Sequence, residues 1–235
     1  MVNKNYVLYK STQRGRADFG WLKANYFFSF ANYYNPERLG FGKLLVFNDD
    51  FIAAGAGFPK HPHNDMEIIT IPISGVVAHQ DSTGGHGTIS NNEVQVMSAG
   101  KGIIHSEFNG SDTEDLKLFQ IWILPDQRGH QPGYWQNKYE LKLNSFTTLV
   151  NGFKRDESLF INQHAAIERG IFENSLVTYQ KRGKNTGLFV VVIEGKVELN
   201  GEEMNSRDWI EVHEGELPSM KAIGKSDVLL IETAM

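Results

Sequence analysis

Short apolar runs, separated by turn residues at intervals of roughly eight to twelve positions, set the pattern of the chain. Leu44-Leu45-Val46-Phe47 reads as a strand, ended by a turn at Asn48-Asp49-Asp50 and resumed from Phe51 to Ala54. Ile68 to Ile73 is a β-branched strand, Ser74-Gly75 its turn, and Val76-Val77-Ala78-His79 the return. The stretch from Asp81 to Gly87 carries turn chemistry. Val94-Gln95-Val96-Met97 alternates, and Leu118 to Leu124 is stopped by Pro125-Asp126. Between residues 6 and 35 the chain is aromatic-rich: Ala24 to Phe30 is a possible strand, and the rings there read as core packing.

From Gln127 to Gly133 the chain turns polar and Gly/Pro-bearing, a candidate boundary. Strands are then expected at Tyr139–Leu143, Leu159–Asn162, Leu176–Gln180, Leu188–Glu194, Lys196–Leu199, Trp209–Val212 and Val228–Glu232. A short helix fits residues 162–170, with Asn162 as its cap. Glu194-Gly195-Lys196 echoes Ser74-Gly75-Val76 as strand, Gly turn, strand, which suggests two copies of one β-fold. The pattern predicts an all-β protein with tandem antiparallel domains at residues 1–130 and 131–235.

Composition narrows the chemistry. A net charge of -5 offers no electrostatic footing for nonspecific nucleic-acid binding. The chain has no cysteine, which removes thiolate metal sites, disulfides and thiol nucleophiles, so any metal must be held by histidine and carboxylate. The first residues show no apolar leader, and the longest apolar run, Leu188 to Ile193, falls far short of the roughly 20 residues that cross a bilayer. A cytoplasmic protein without membrane association is the expectation.

Two ligand pairs stand out, His61-Pro62-His63 and His105-Ser106-Glu107, each spaced i, i+2. Side chains two apart on a strand share a face. If both stretches are strands facing each other, three imidazoles and a carboxylate meet at one point. A mixed nitrogen and oxygen set of this kind suits a divalent metal with open positions for water, substrate or dioxygen. Glu67, four residues after His63, is a second candidate carboxylate, either brought back by a turn at Asn64-Asp65 or orienting an imidazole through its other nitrogen. His79, His86, His130, His164 and His213 sit in ordinary contexts and receive no chemistry, with His79 and His86 near enough to the pairs in sequence to be worth checking, and the second half has no His-x-His.

The residues around these pairs resemble a known family. Gly55, His61, His63, Glu67 and Gly75 are similar to the first cupin motif, with one extra residue before the last glycine, and Gly100, Gly102, His105 and Asn109 to the second. Gly20-Trp21-Leu22, Asn48-Asp49-Asp50, Gly55-Ala56-Gly57-Phe58, His61-Pro62-His63, Asp65-Met66-Glu67 and His105-Ser106-Glu107-Phe108-Asn109 narrow the resemblance to the pirin family. It covers residues 20–125 densely; beyond them only the layout supports it. One departure is Asn91-Asn92-Glu93 where Pro-Gly-Asp is common, and Asn92 can adopt the left-handed backbone that glycine takes there.

The resemblance implies a bicupin with one mononuclear metal in the N-terminal barrel. Iron is expected first, and nickel, zinc, copper, manganese or cobalt are compatible. It carries the ligand roles to His61, His63, His105 and Glu107, and leaves Glu67 to orient an imidazole. It further implies an oxidoreductase similar to quercetin 2,3-dioxygenases, opening a flavonol ring with O2. Glu107 would take the 3-hydroxyl proton, with Phe58, Met66 and Phe108 as candidate apolar walls. The alternative implied by the resemblance is a non-enzymatic, redox-sensing regulator that binds transcription factors or metabolic enzymes.

Overall fold

The computed structural model describes residues 5–235; the first four, part of the stretch read for a leader, lie outside it. The strands are β1 (Tyr6–Tyr9), β2 (Gly15–Asp18), β3 (Leu22–Tyr26), β4 (Leu44–Ile52), β5 (Gly57–His63), β6 (Glu67–Ser74), β7 (Val76–Asp81), β8 (His86–Ser90), β9 (Glu93–Ser98) and β10 (Ile103–Asn109). They continue as β11 (Leu116–Ile123), β12 (Gly133–Lys138), β13 (Ser145–Asn151), β14 (Ala165–Glu173), β15 (Leu176–Val177), β16 (Thr186–Leu199), β17 (Glu202–Asn205), β18 (Trp209–Val212) and β19 (Met220–Ala234). The only helix among the described residues is a single turn at Ser11–Gln13. None is long and apolar enough to cross a membrane.

The chain forms two compact units. One comprises Arg14–Tyr139 and Leu159–Gln163. It holds a seven-stranded sheet in the order β12-β9-β6-β11-β4-β3-β2 and a four-stranded sheet in the order β5-β10-β7-β8. The other takes the described residues through Gln13, Glu140–Ser158 and His164–Met235, in one sheet of order β1-β18-β16-β19-β14-β13. Its core packs Leu188, Val190 and Val192 with Ile210, Val228 and Leu230, all fully buried. Each such side chain contributes roughly 1.5–3 kcal/mol by leaving water.

The boundary expected at 130–131 is therefore displaced. β12 lies beyond it yet pairs with β9 from Gly133↔Ser98 to Lys138↔Glu93. β1 lies before it yet pairs with β18. Pairing partners decide membership, and the polar stretch at 127–133 is a loop inside the first unit.

Other differences share a cause: local signals yield to sheet pairing. Asn48-Asp49-Asp50 is no turn but the middle of β4, in register with β11 on one side and β3 on the other. The helix expected at 162–170 is absent. Residues 165–173 are β14, paired along their whole length with β19 and nearly all buried, the habit of a central strand covered on both faces. Asn162 caps nothing, and its amide serves Glu67 and Ser98 instead. Tyr139–Leu143 and Leu159–Asn162 form no strands. Gly195 is not a hairpin turn but an irregularity inside β16, so the echo with Ser74-Gly75 does not extend to the fold. Asn92 does adopt the left-handed backbone, at φ 64°.

Candidate metal centre

Strand β10 positions the site because it has partners on both edges. On one side His105 faces His61 and Ile103 faces His63 on β5. On the other, Glu107 faces His79 and His105 faces Asp81 on β7. The β5 ladder slips between His105 and Glu107, which faces Phe58, so β5 carries an extra residue there. Such a bulge re-aims side chains. Alternation along β10 buries His105 and Glu107 and turns Ile104 and Phe108 outward.

The three imidazoles converge. Ring centroids stand 4.4 Å apart for His61–His105, 4.8 Å for His61–His63 and 5.0 Å for His63–His105. Their ligating nitrogens lie within 4.8 Å of one another. Nδ1 of His61 is 2.7 Å from the Pro59 carbonyl. A hydrogen there donates to that oxygen and leaves Nε2 free as a lone-pair ligand. Nε2 of His63 and both ring nitrogens of His105 are buried without a partner. Burial, followed by the neighbouring imidazoles, lowers His63 to about 4 and His105 to about 3. Both rings are thus neutral at ordinary pH, the state a metal needs. Unpaired neutral imidazole nitrogens facing one another fit a cation.

Glu107 reaches this cluster from the same strand and sits in a second group with His79 and His105, again within 4.8 Å. Its carboxylate is held by the opposite sheet. Oε1 accepts from Thr70 Oγ1 at 2.9 Å and from Gln95 Nε2, and Oε2 accepts from Gln120 Nε2 at 2.7 Å. The donors form a row across the seven-stranded sheet, where Asn48, Gln120, Thr70 and Gln95 stand in mutual register on β4, β11, β6 and β9. All four are buried. A carboxylate has about four acceptor positions, so three are filled and about one remains for a metal or a substrate proton.

His79 received no chemistry from the sequence, yet it lies inside the site. Its ring is 5.4 Å from His105 and stacks on Tyr134 at 4.3 Å. Nε2 pairs with Asp81 at 3.0 Å, and Nδ1 is buried without a partner. The signal was available, because His79-Gln80-Asp81 has the same i, i+2 spacing as the two pairs and flanks the second across β7 and β10. His86 lies exposed at the start of β8, and His130 pairs with Asp126.

Glu67 does not orient an imidazole. It is one residue from Ile68, which lines the cavity, so alternation points it to the other face of β6. There Oε1 accepts from Ser98 at 2.7 Å and from Asn162 at 3.0 Å. Burial raises its pKa.

A cavity of about 340 Å³ opens over the imidazoles, large enough for a small organic ligand. Phe30, Phe58, Ile68 and Trp122 wall it, and Asn48, Asp50, Glu107 and Gln120 line it beside the three histidines. Of the expected walls, Phe58 is present, Met66 packs against Ile68 and Met97, and Phe108 points away, 39% exposed. Asp50 is buried on the inner face of β4, and its carboxyl is pushed up to about 8, first by burial, then by Asp49 and Glu107.

Residues 9–123 match the pirin family model, and residues 149–233 match that of the quercetinase C-terminal cupin domain. A quercetin 2,3-dioxygenase of Escherichia coli K12 is 39% identical over 96% of this chain and 97% of its own. A pirin-like protein of Caulobacter vibrioides is 39% identical over 94% of this chain and 96% of its own. In three dimensions the chain superposes on the E. coli bacterial pirin YhhW in complex with nickel(II) with a TM-score of 0.91, at 38% identity, covering 97% of this chain and 99% of that one.

Proposed function

Since the chain belongs to the pirin family and has its bicupin fold, we propose that it is a metal-dependent dioxygenase that opens the ring of quercetin or a related flavonol with O2. The observation that carries this reading is the convergence of three imidazoles at the foot of an apolar-walled cavity, two of them neutral and with buried ring nitrogens that have no partner. His61, His63, His105 and Glu107 hold one divalent ion. Iron and nickel are the leading candidates, nickel because it is the metal in the complex of the similar bacterial pirin. A bound ion supplies Lewis-acid stabilisation to the substrate oxyanion and open positions for exchange.

The chain's own residues do the rest. The Pro59 carbonyl fixes the tautomer of His61. Thr70, Gln95 and Gln120 fix the Glu107 carboxylate, whose remaining acceptor position would serve the ion in the resting site and the proton of the substrate 3-hydroxyl once substrate is bound. Phe58 and Trp122 give the cavity aromatic wall for a ring to rest against. Protein loaded with iron or nickel is expected to bleach the visible absorbance of quercetin in air, and His105→Ala to lose both bound metal and bleaching. Unchanged absorbance with metal-loaded protein, beside a known quercetinase that consumes the same stock, would sink the reading.

A further inference from the structure

The polar row on the seven-stranded sheet is only partly satisfied. At its Gln95 end every donor is committed: the amides of Gln95 and Gln120 donate to Glu107, and the Thr70 hydroxyl lies between Glu107 and Gln120. Gln95 Oε1 nonetheless receives nothing, and neither do two oxygens on β4. Oδ1 of Asn48 and Oδ1 of Asp50 are buried without a hydrogen-bond partner. Both residues are more than nine-tenths buried, at 3% and 5% exposure. They stand i, i+2 on β4, hence on one face, and both line the cavity that holds the three histidines. Buried polar atoms in native proteins almost always find a partner. The Thr70, Gln95 and Gln120 donors are committed to Glu107, and the cavity that Asn48 and Asp50 line is where a partner for their oxygens can enter.

Resting on the flavonol reading above, we infer that Asn48 and Asp50 form a recognition point for the ring hydroxyls of a polyhydroxylated flavonol, on the sheet facing the imidazoles. The chemistry is specific to hydroxyl donors. Asn48 Oδ1 accepts an O–H. Asp50 likewise accepts an O–H through Oδ1. Tyr26, Asp49 and Glu107 are the titratable groups that act on Asp50 electrostatically, and the two acids oppose its ionisation. An anionic ligand edge is disfavoured beside these carboxyls, whereas a neutral phenol is not. The site would therefore rank flavonols by their hydroxyls remote from the metal and discriminate against 3-hydroxyflavone, which has none to offer.

Nickel-loaded protein, kept anaerobic so that turnover does not intervene, can be titrated with quercetin and with 3-hydroxyflavone while tryptophan emission is followed. Wild type is expected to hold quercetin about tenfold more tightly, the scale of one good hydrogen bond. Asn48→Leu and Asp50→Leu should each erase most of that preference while leaving 3-hydroxyflavone affinity within about twofold. Removing an unpaired buried group should not unfold the barrel. Should a leucine variant nonetheless fail to fold, Asn48→Ala and Asp50→Asn read the same preference, and Asp50→Asn should retain part of it. Quercetin consumed by wild type, with the preference intact in the variants, overturns this inference alone. If wild type neither binds nor consumes quercetin, the activity reading falls and this one with it.

Discussion

Asp50 shows what a single side chain contributes when the barrel interior is a working cavity and not packed hydrocarbon. Its carboxyl, ordinarily near 3.8, is pushed up to about 8. Between those values the folded, metal-free protein keeps a proton that the unfolded chain has shed. Stability therefore falls as pH rises across that interval and levels off above it. Asp50→Asn cannot titrate, so its melting temperature should exceed that of wild type at pH 8 and converge toward it near pH 4. Each pKa unit is worth about 1.4 kcal/mol, so a gain of about 1 kcal/mol or more at pH 8 is expected. An equal offset at both pH values would show that the carboxyl is not protonated in the fold. At this scale the sequence was half legible. The His61-His63 and His105-Glu107 pairs could be read because their spacing is local. Thr70, Gln95 and Gln120 could not: each is one polar residue inside an apolar strand, and only the register between distant strands makes them a row. Asn48 and Asp50 misled for the same reason, since polar residues that face an inner cavity look like a turn when the cavity is unknown.

Among the elements, the β5–β10 ladder holds the two ligand pairs to each other, and its tolerance is set at Gly57. A β-carbon there would lie 2.4 Å from the Phe108 Cα and 2.5 Å from the Glu107 carbonyl oxygen. These are backbone atoms and cannot swing aside. Gly57→Ala is thus expected to push β5 off β10 next to the bulge, parting His61 from His105. Metal stoichiometry should drop well below one, with a stability loss of roughly 1–3 kcal/mol, as for overpacking. Full metal content in that variant would mean that the ladder does not set the ligand geometry. The hairpins of the first unit were legible because glycine turns sit between β-branched runs, as at Ser74-Gly75. The helix read at 162–170 was not a misjudged propensity alone. Its residues are claimed by β13 and β19, which lie apart from it in sequence, and such pairing overrides a local cap signal.

For the whole molecule, the proposed metal and the proton would compete at one place. The folded pKa values of His63 and His105, about 4 and 3, lie below the ordinary 6.5. In the metal-free protein the unfolded state therefore binds more protons across that interval, and stability should decline as pH falls from about 6.5 toward 3. Adding metal opposes the loss by mass action, by about 2.7 kcal/mol at a hundredfold excess over Kd. Hydrogen exchange with and without nickel should show added protection in β5, β7 and β10 and little change in β16 and β19. Protection gained equally in both sets would remove the metal from the first unit. The two-domain layout was legible in outline, but its seam was not, because composition marks a loop and not the partner to which a strand returns.

That seam bears on how the gene can be cut. β12 and the short span Leu159–Gln163 belong with residues 14–139, although they follow the apparent linker. A fragment ending at residue 130 would strip β12 from β9, exposing the backbone of an apolar strand as an adhesive edge that recruits other chains. It would also withdraw the Asn162 amide from Glu67. The half that contains the candidate metal centre is therefore not a portable module: it cannot be transplanted or shuffled as a contiguous block.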